Sequence, residues 1–211
     1  MISPDQVFLY LGAALVLALT PGPGIFYVAA RTLAGGRAEG IASSIGTGLG
    51  GLVHVVAGAA GISALVLASA ELFTMVKLAG AAYLIWLGGR TILAARRVDQ
   101  HLDTDSQAVG PRRAFREGAL VEALNPKTAA FFLAFVPQFI DPASGNVAVQ
   151  FIALSCISVL LNTLVDVAVA LGASRARALA QSSLLARLQR ASGAAMMALG
   201  IGLAFARRPA N

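Results

Sequence analysis

Long apolar runs separated by short polar connections divide this chain. Residues 6–30 and 40–70 contain no Asp, Glu, Lys or Arg, and each is long enough for an α-helix that crosses the roughly 30 Å hydrocarbon core of a bilayer. Four further apolar segments follow at residues 72–95, 118–140, 147–172 and 191–206, and the last extends back through Leu184 and Leu185 in a longer reading. The pattern predicts an all-α integral membrane protein with six transmembrane helices.

Composition supports a membrane protein. Hydrophobic residues make up 57% of the chain, charged residues make up 12%, and the mean hydropathy is +0.77. One soluble core cannot bury that much apolar surface, so lipid is the expected solvent. The net charge of +6 does not predict nucleic-acid binding, because the basic residues lie in short connections between apolar runs. Six spans leave no room for a soluble domain, and residues 1–211 are predicted to form a single transmembrane transporter domain.

The basic residues predict which connections face the cytoplasm. Lys and Arg accumulate in cytoplasmic loops, and here they cluster after the first, third and fifth predicted spans: Arg31, Arg37, Arg96, Arg97, Arg112, Arg113, Arg116, Arg175, Arg177, Arg187 and Arg190. The other connections carry Asp5, Glu71 and Asp141. This asymmetry predicts an N-terminus outside the cell. Only Arg207 and Arg208 disagree, which leaves open whether the sixth helix crosses fully.

The longest polar connection, residues 98–111, divides the chain into halves of three spans each. We predict one repeat over about residues 1–95, a cytoplasmic loop over about 96–116 and a second repeat over about 117–206. Because three is odd, related halves would lie in the membrane with opposite orientations. The expected fold is therefore two inverted three-helix repeats.

Proline and glycine interrupt the first and fourth predicted spans. The interruptions are Thr20, Pro21, Gly22, Pro23 and Gly24 in the first span, and Asn125, Pro126 and Lys127 in the fourth. Proline frees backbone groups that lipid cannot satisfy, so such breaks face protein or a watery cavity. Half-helix N-termini suit a carboxylate, and freed carbonyls suit an ammonium group. These residues are predicted to bind a solute with both groups; the alternative is two simple proline kinks.

Ionisable residues at membrane depth are costly and usually have a role or a partner. Lys127 is a candidate for contact with a substrate carboxylate or for an ion pair. Asp166 is a candidate for proton coupling, or for a fixed salt bridge to Lys127 or Arg90. Glu122 lies one helical turn before Asn125 and should face the same side, unless it lies at the cytoplasmic entrance. His54 is either a proton carrier or a hydrogen-bonding partner for a neighbouring helix.

Three separated motifs resemble the lysine exporter superfamily, in its homoserine and threonine efflux branch. They are residues 20–23 (TPGP), residues 80–88 (GAAYLIWLG), and residues 125–127 (NPK) followed by Phe131, Phe132 and residues 137–139 (PQF). The resemblance covers almost the whole chain. It implies efflux of amino acids or their derivatives across the bacterial inner membrane, driven by the proton gradient. It places residues 21–23 and 125–127 at the family's signature breaks and Asp166 where some members carry an acid, whereas Glu122 stands where an amide is frequent.

Other functions fit the sequence less well. A cation or metal exporter lacks ligands, since the chain has two His and one Cys, Cys156. An intramembrane enzyme needs a nucleophile beside a base, and Ser63 and Ser155 show no such spacing to His54. A non-transporting partner subunit gains nothing from buried charges. We expect no enzyme activity, no cofactor and no metal site. The exact solute, the coupling ion and its stoichiometry, and whether the protein works as a homodimer stay open.

Overall fold

A computed structural model describes residues 4–67, 70–94, 107–176 and 182–205. Every regular element in those ranges is helical, as predicted. The elements are α1 Pro4–Leu19, α2 Pro23–Leu67, α3 Ala70–Ala94, α4 Pro111–Ala123, α5 Pro126–Ala130, a π-helical turn Phe131–Phe135, a 3-10 turn Val136–Phe139, a second 3-10 turn Pro142–Ser144, α6 Val147–Ala176 and α7 Ser182–Phe205. The side chains of Asp5, Ser63 and Arg175, and the whole of Arg96, Arg97, Arg177, Arg207 and Arg208, lie outside the described part.

Several of these helices are apolar enough for a membrane. By length and composition Pro23–Gly61 and Val147–Ala173 each suffice for a span, and the pair Pro111–Ala123 and Pro126–Phe139, bent by 41°, makes a third if it crosses as one. Two shorter apolar helices, Gln6–Leu19 and Met196–Phe205, lie at the two ends. These helices are compatible with a membrane protein.

The helix α2 reverses direction at Gly36. Gly36 has φ 77° and ψ −169°, which is not a helical conformation. Thr32 and Gly40 are eight residues apart and would be separated by about 12 Å along a continuous helix. Instead, a Cβ atom on Gly40 would collide with the Thr32 hydroxyl group. Thus α2 is a hairpin, and its turn falls in the connection predicted between the first two spans.

Three helix pairs make the closest contacts. The section of α2 after Gly36 runs antiparallel to α6, with Gly40 against Ala170 and Gly58 against Phe151. It also packs closely on α4, because a Cβ atom on Gly46 would collide with the Phe115 carbonyl oxygen. The helices α3 and α7 form a third close pair, in which Gly88 approaches the carbonyl oxygen of Gly193.

Two groups of arginines that were predicted to lie in loops lie on helices in the structure. The fourth helix begins at Pro111, not Gly118, because Gly110 (φ 85°) and Pro111 start a helix there. Arg112, Arg113 and Arg116 therefore lie on α4, not in a loop. The last helix begins at Ser182, in accord with the longer reading, so Arg187 and Arg190 also lie on a helix.

Candidate functional site

The two proline-containing breaks meet inside the molecule. Lys127, just after the second break, donates hydrogen bonds from Nζ to the carbonyl oxygens of Leu17 (3.2 Å) and Thr20 (3.0 Å). Those carbonyls belong to the C-terminal end of α1 and the start of the first break. A cation at this end of a helix also matches the helix dipole. The aliphatic part of Lys127 passes Gly22 so closely that a Cβ atom there would lie 3.2 Å from it.

The second break is organised by Asn125 and Glu122. Asn125 adopts an extended conformation before Pro126, and its Oδ1 accepts a hydrogen bond from the Lys127 amide at 3.0 Å, which caps α5. Glu122 is buried, and both of its carboxylate oxygens have donors: Asn125 Nδ2 at 2.8 Å and Thr128 Oγ1 at 2.6 Å. Glu122 and Asn125 therefore face the same side, as predicted.

Glu122 also contacts the first break. A Cβ atom on Gly24 would lie 2.7 Å from Glu122 Oε2, so only glycine leaves room for the carboxylate at the start of α2. Lys127 and Glu122 thus cross-connect the breaks, one at the end of α1 and the other at the beginning of α2. A carboxylate near a helix N-terminus is electrostatically favourable.

Asp166 is buried in α6 opposite the hairpin. Its Oδ2 accepts a hydrogen bond from Thr47 Oγ1 at 2.7 Å. Its Oδ1 is buried and has no hydrogen-bond partner within the described ranges. Asp166 makes no ion pair with any described residue, so the fixed salt bridge to Lys127 or Arg90 that the sequence left open is not formed. Since Lys127 and Glu122 still influence Asp166 electrostatically, the three ionisable groups form one cluster.

His54 has a structural contact. Its Nε2 lies 2.9 Å from the Glu122 carbonyl oxygen in the last turn of α4, and its ring stacks on Phe132 with a centroid distance of 6.0 Å. A protonated Nε2 donates this hydrogen bond, which is the helix-to-helix role that the sequence allowed for His54.

A cavity of about 10 Å³ lies between α1, α2, α4, α5, the π-helical turn and α6. That volume is close to the space of one water molecule. One part of the wall is apolar and consists of Ala14, Leu17, Gly48, Gly51, Phe132 and Val159; the rest consists of Thr47, Glu122, Thr128, Ser158, Asn162, Thr163 and Asp166. Thr47 is eleven residues beyond Gly36, about 16 Å along the helix, a distance equal to about half the thickness of a hydrocarbon core.

An aromatic cluster closes one side of this cavity. Six rings pack against one another in it: Tyr10, Phe131, Phe132, Phe135, Phe139 and Phe151. The Tyr10 hydroxyl lies 2.5 Å from Ser158 Oγ and donates to the Leu154 carbonyl oxygen at 2.8 Å. Beyond the cluster, Asp141 accepts hydrogen bonds from the Ser144 hydroxyl and the Ala143 amide, which hold the pKa of its carboxyl below the ordinary value. This end therefore carries a negative charge.

A polar network lies near the turn of the α2 hairpin, and we call it the Glu39 network. Glu39 is buried; its Oε1 accepts from the Gly110 amide at 2.6 Å, and its Oε2 lies 3.9 Å from Arg31 Nη1. Arg31 also donates to the Gln107 carbonyl oxygen at 3.3 Å. One turn further in, Tyr27 donates to Glu117 Oε2 at 2.9 Å. The network joins the α2 hairpin to the start of α4.

The structure therefore brings the predicted residues into one region, but only some of them line the cavity. Glu122 and Asp166 line the cavity. Residues 20–24, residues 125–127 and His54 lie around it in the breaks and at the α4 end. Whether these residues bind a solute stays a prediction. Among the described residues no group of His, Cys, Asp and Glu could hold a metal ion.

Sequence reasoning missed several cavity residues. Ser158 and Asn162 precede the predicted Asp166 at a spacing of four residues and form a polar stripe with it on α6, while Thr47 follows Ser43 at the same spacing on α2. Polar residues repeating on one face of an apolar helix are the signal that would have found them. Glu39 was missed because it lies at the edge of an apolar run.

Comparisons with known proteins give a consistent assignment. The family model described as LysE type translocator matches residues 15–207. The homoserine/homoserine lactone efflux protein of Salmonella typhimurium is 34% identical over 203 residues, which cover 95% of this chain and 96% of that protein. The leucine efflux protein of Klebsiella pneumoniae is 32% identical over 147 residues, 69% of this chain and 68% of that protein.

An uncharacterized membrane protein of Vibrio cholerae is also similar, with 34% identity over 200 residues that cover 94% of this chain and 96% of the relative. No solved structure matches the chain significantly. Sequence relatives, not solved structures, therefore carry the assignment.

Proposed function

Since this chain belongs to the LysE type translocator family, a family of membrane transporters and not of enzymes, we propose that it exports an amino acid or a close derivative across the bacterial inner membrane. Relatives that share about a third of its residues are named as efflux proteins for homoserine and its lactone and for leucine. The cation or metal exporter and the non-transporting subunit have no comparable support.

The observation that carries this proposal is a buried carboxylate in a small cavity between two broken helices. Asp166 lines that cavity with one oxygen unpartnered within the described ranges, and a buried polar group without a partner is costly unless a ligand or proton compensates it. The cavity also lies between two packed layers, the aromatic cluster and the Glu39 network. A site near mid-membrane with a closed layer on each side suits alternating access.

We propose six spans arranged as two inverted repeats. The helix pairs support this arrangement, because α2 after Gly36 packs on α6 and α3 packs on α7, which are the second and third spans of each half. The antiparallel direction of these pairs fits halves of opposite orientation. The Glu39 network then faces the cytoplasm, where the basic connections are predicted, and Asp141 lies outside.

We also propose that Asp166 couples export to protons. A carboxylate that binds a proton from outside and releases it inside has to meet both faces in turn, as the solute site does. Glu122 on α4 lines the same cavity as Asp166, Lys127 on α5 acts on Asp166 electrostatically, and Thr47 on α2 donates to it. A change in proton occupancy of Asp166 therefore alters the charge balance of this cluster.

Efflux from preloaded cells tests this function. Cells loaded with labelled homoserine, leucine and other amino acids should lose at least one of them faster when the protein is expressed, and Asp166→Asn should abolish the gain or its dependence on external pH. Asp141→Asn makes the same chemical change in an exposed turn and should leave efflux intact. If no solute leaves faster, the family's function does not extend to this chain.

A further inference from the structure

The ionisable side chains around the cavity differ in how many of their polar atoms have hydrogen-bond partners. Both oxygens of Glu122 accept hydrogen bonds from Asn125 and Thr128. Lys127 donates to the Leu17 and Thr20 carbonyls and does not line the cavity. What remains is Asp166, a buried acid with one oxygen bound to Thr47 and the other without a partner in the described part of the chain.

The cavity wall therefore has carboxyl groups that could bind a cation, but it has no basic side chain that could bind an anion. None of the described residues that line it is Lys or Arg, and two of them are carboxylates. Lys127, the basic residue that follows Glu122, has its ammonium group on the Leu17 and Thr20 carbonyl oxygens and not in the cavity wall. A buried carboxylate calls for an opposite charge or for protonation.

Size points to the same group. The cavity holds about one water molecule, and a –NH₃⁺ group has nearly the dimensions of a water. Hydroxyl and amide oxygens of Thr47, Ser158 and Asn162 lie in the same wall, so a donor with three hydrogens finds acceptors besides Asp166. The rest of a solute does not fit in the cavity as it stands. It would have to displace the apolar side chains of Leu17, Phe132 and Val159 in the wall.

We propose that this site recognises the ammonium group of its solute through Asp166 and does not need the solute's carboxylate. The proposal rests on the proposed function for its setting but concerns binding alone. The substrate class is then primary amines of amino-acid size, including amino-acid amides. It also assigns Lys127 a positioning role at the end of α1 instead of contact with a substrate carboxylate.

Binding to the purified protein in detergent tests this inference independently of transport. The probes are leucine, leucinamide, which keeps the ammonium and lacks the carboxylate, and N-acetylleucine, which does the reverse; homoserine and its matching derivatives form a second set. Leucinamide should bind within about threefold of leucine, and N-acetylleucine should bind at least about tenfold more weakly, the ratio that 1.4 kcal/mol of lost binding produces. Equal or tighter binding of N-acetylleucine overturns the inference.

Two variants separate recognition from folding. Asp166→Asn should bring leucinamide and N-acetylleucine to similar affinity, while thermal unfolding shows that the variant is folded. Thr47→Val, which leaves the carboxylate but removes its donor, should weaken leucinamide several-fold, and Thr47→Ser should restore it. If Asp166→Asn keeps the full preference for the ammonium, Asp166 is not its partner and the proposal fails.

Sodium and potassium chloride test whether the site binds an inorganic cation instead of an ammonium group. If either salt stabilises the protein at the concentrations where leucinamide does, and loses its effect in Asp166→Asn, the site is an inorganic cation site and the proposal is overturned. Leucinamide binding without efflux in the cell experiment contradicts the proposed function but leaves this inference standing. Efflux from cells together with preferential binding of N-acetylleucine supports the proposed function and contradicts this inference.

Discussion

At the residue scale, Lys127 illustrates how a buried charge becomes part of a fold. Its ammonium group donates to the Thr20 carbonyl oxygen and to the Leu17 carbonyl oxygen, which also accepts from the Thr20 amide. An amine on a long side chain can reach across from another segment, which a backbone amide at this position cannot do. The lysine therefore stabilises the relative position of two breaks that are more than one hundred residues apart in sequence.

Replacing this lysine should destabilise the protein. Lys127→Met removes the side-chain donor of the Thr20 carbonyl oxygen and one of the two donors of the Leu17 carbonyl oxygen, and the loss should be about 1–3 kcal/mol in the free energy of unfolding. Arg112→Met removes a basic residue from an exposed position on α4 and should change stability by no more than about 0.5 kcal/mol. Thermal unfolding in detergent, followed by circular dichroism, compares the two. Equal stability of both variants would contradict the capping role.

The sequence predicted some residues of the site and missed others for physical reasons. Glu122, Lys127 and Asp166 were found because a charge in an apolar run is costly and therefore conspicuous. Thr47 and Asn162 were missed because hydroxyls and amides are tolerated in membrane helices; their four-residue spacing marks a polar face, and the packing of α2 on α6 shows that the two faces share a cavity. The partners of Lys127 could not be predicted, since they are backbone atoms of a distant segment.

At the scale of elements, the turn of the α2 hairpin depends on one glycine. Gly36 has a backbone conformation that is open almost only to glycine, yet the space beside it is empty, because a Cβ atom there would meet nothing within 4 Å. The requirement is therefore conformational and not steric. The polar connection was predictable from sequence, whereas the exact residue at which the chain turns was not.

A matched pair of substitutions isolates this effect. Gly36→Ala should lower the free energy of unfolding by about 1–3 kcal/mol. Gly61→Ala, also in open space but within the helix, should leave stability unchanged or raise it by up to about 1 kcal/mol, because alanine favours helix over glycine. Denaturation of the purified proteins measures both. A harmless Gly36→Ala would mean that the turn relaxes into another conformation at little cost.

The second break shows an element that sequence patterns describe only in part. Asn125 and Pro126 predicted the interruption, and the N-cap by Asn125 follows from its residue type. The π-helical turn Phe131–Phe135 that follows carries no sequence signature, and it rotates the aromatic residues relative to a regular helix. In this π-helical conformation Phe131 and Phe132 pack against each other within the aromatic cluster.

At the scale of the whole molecule, the proposed alternating access depends on two packed layers, the Glu39 network and the aromatic cluster. The Glu39 network is made of charges and main-chain groups, and the aromatic cluster is made of rings. Their chemistry differs, so they respond to different perturbations. Removing one charge should loosen the network and leave the rings packed.

Accessibility of a cavity residue measures that difference. In a Cys156→Ala background, Asn162→Cys should react slowly with an impermeant thiol reagent from either side of the membrane. Adding Glu39→Gln, which weakens the contacts to Arg31 and the Gly110 amide, should raise the labelling rate several-fold from the cytoplasmic side alone. Glu71→Gln, at an exposed position, serves as the control and should have no effect. Faster labelling from the outside would place the network on the opposite face.

The small volume of the cavity has a consequence for selectivity. A dissolved amino acid carries a shell of hydration, and a chamber with room for about one water molecule admits almost none of it. Under the proposed function, dehydration of the solute's polar groups is therefore part of each loading step, and the lining compensates only those groups that it matches. A solute with polar groups that find no partner in the cavity loses their hydration free energy on binding. Such a solute binds weakly, even where its shape would fit.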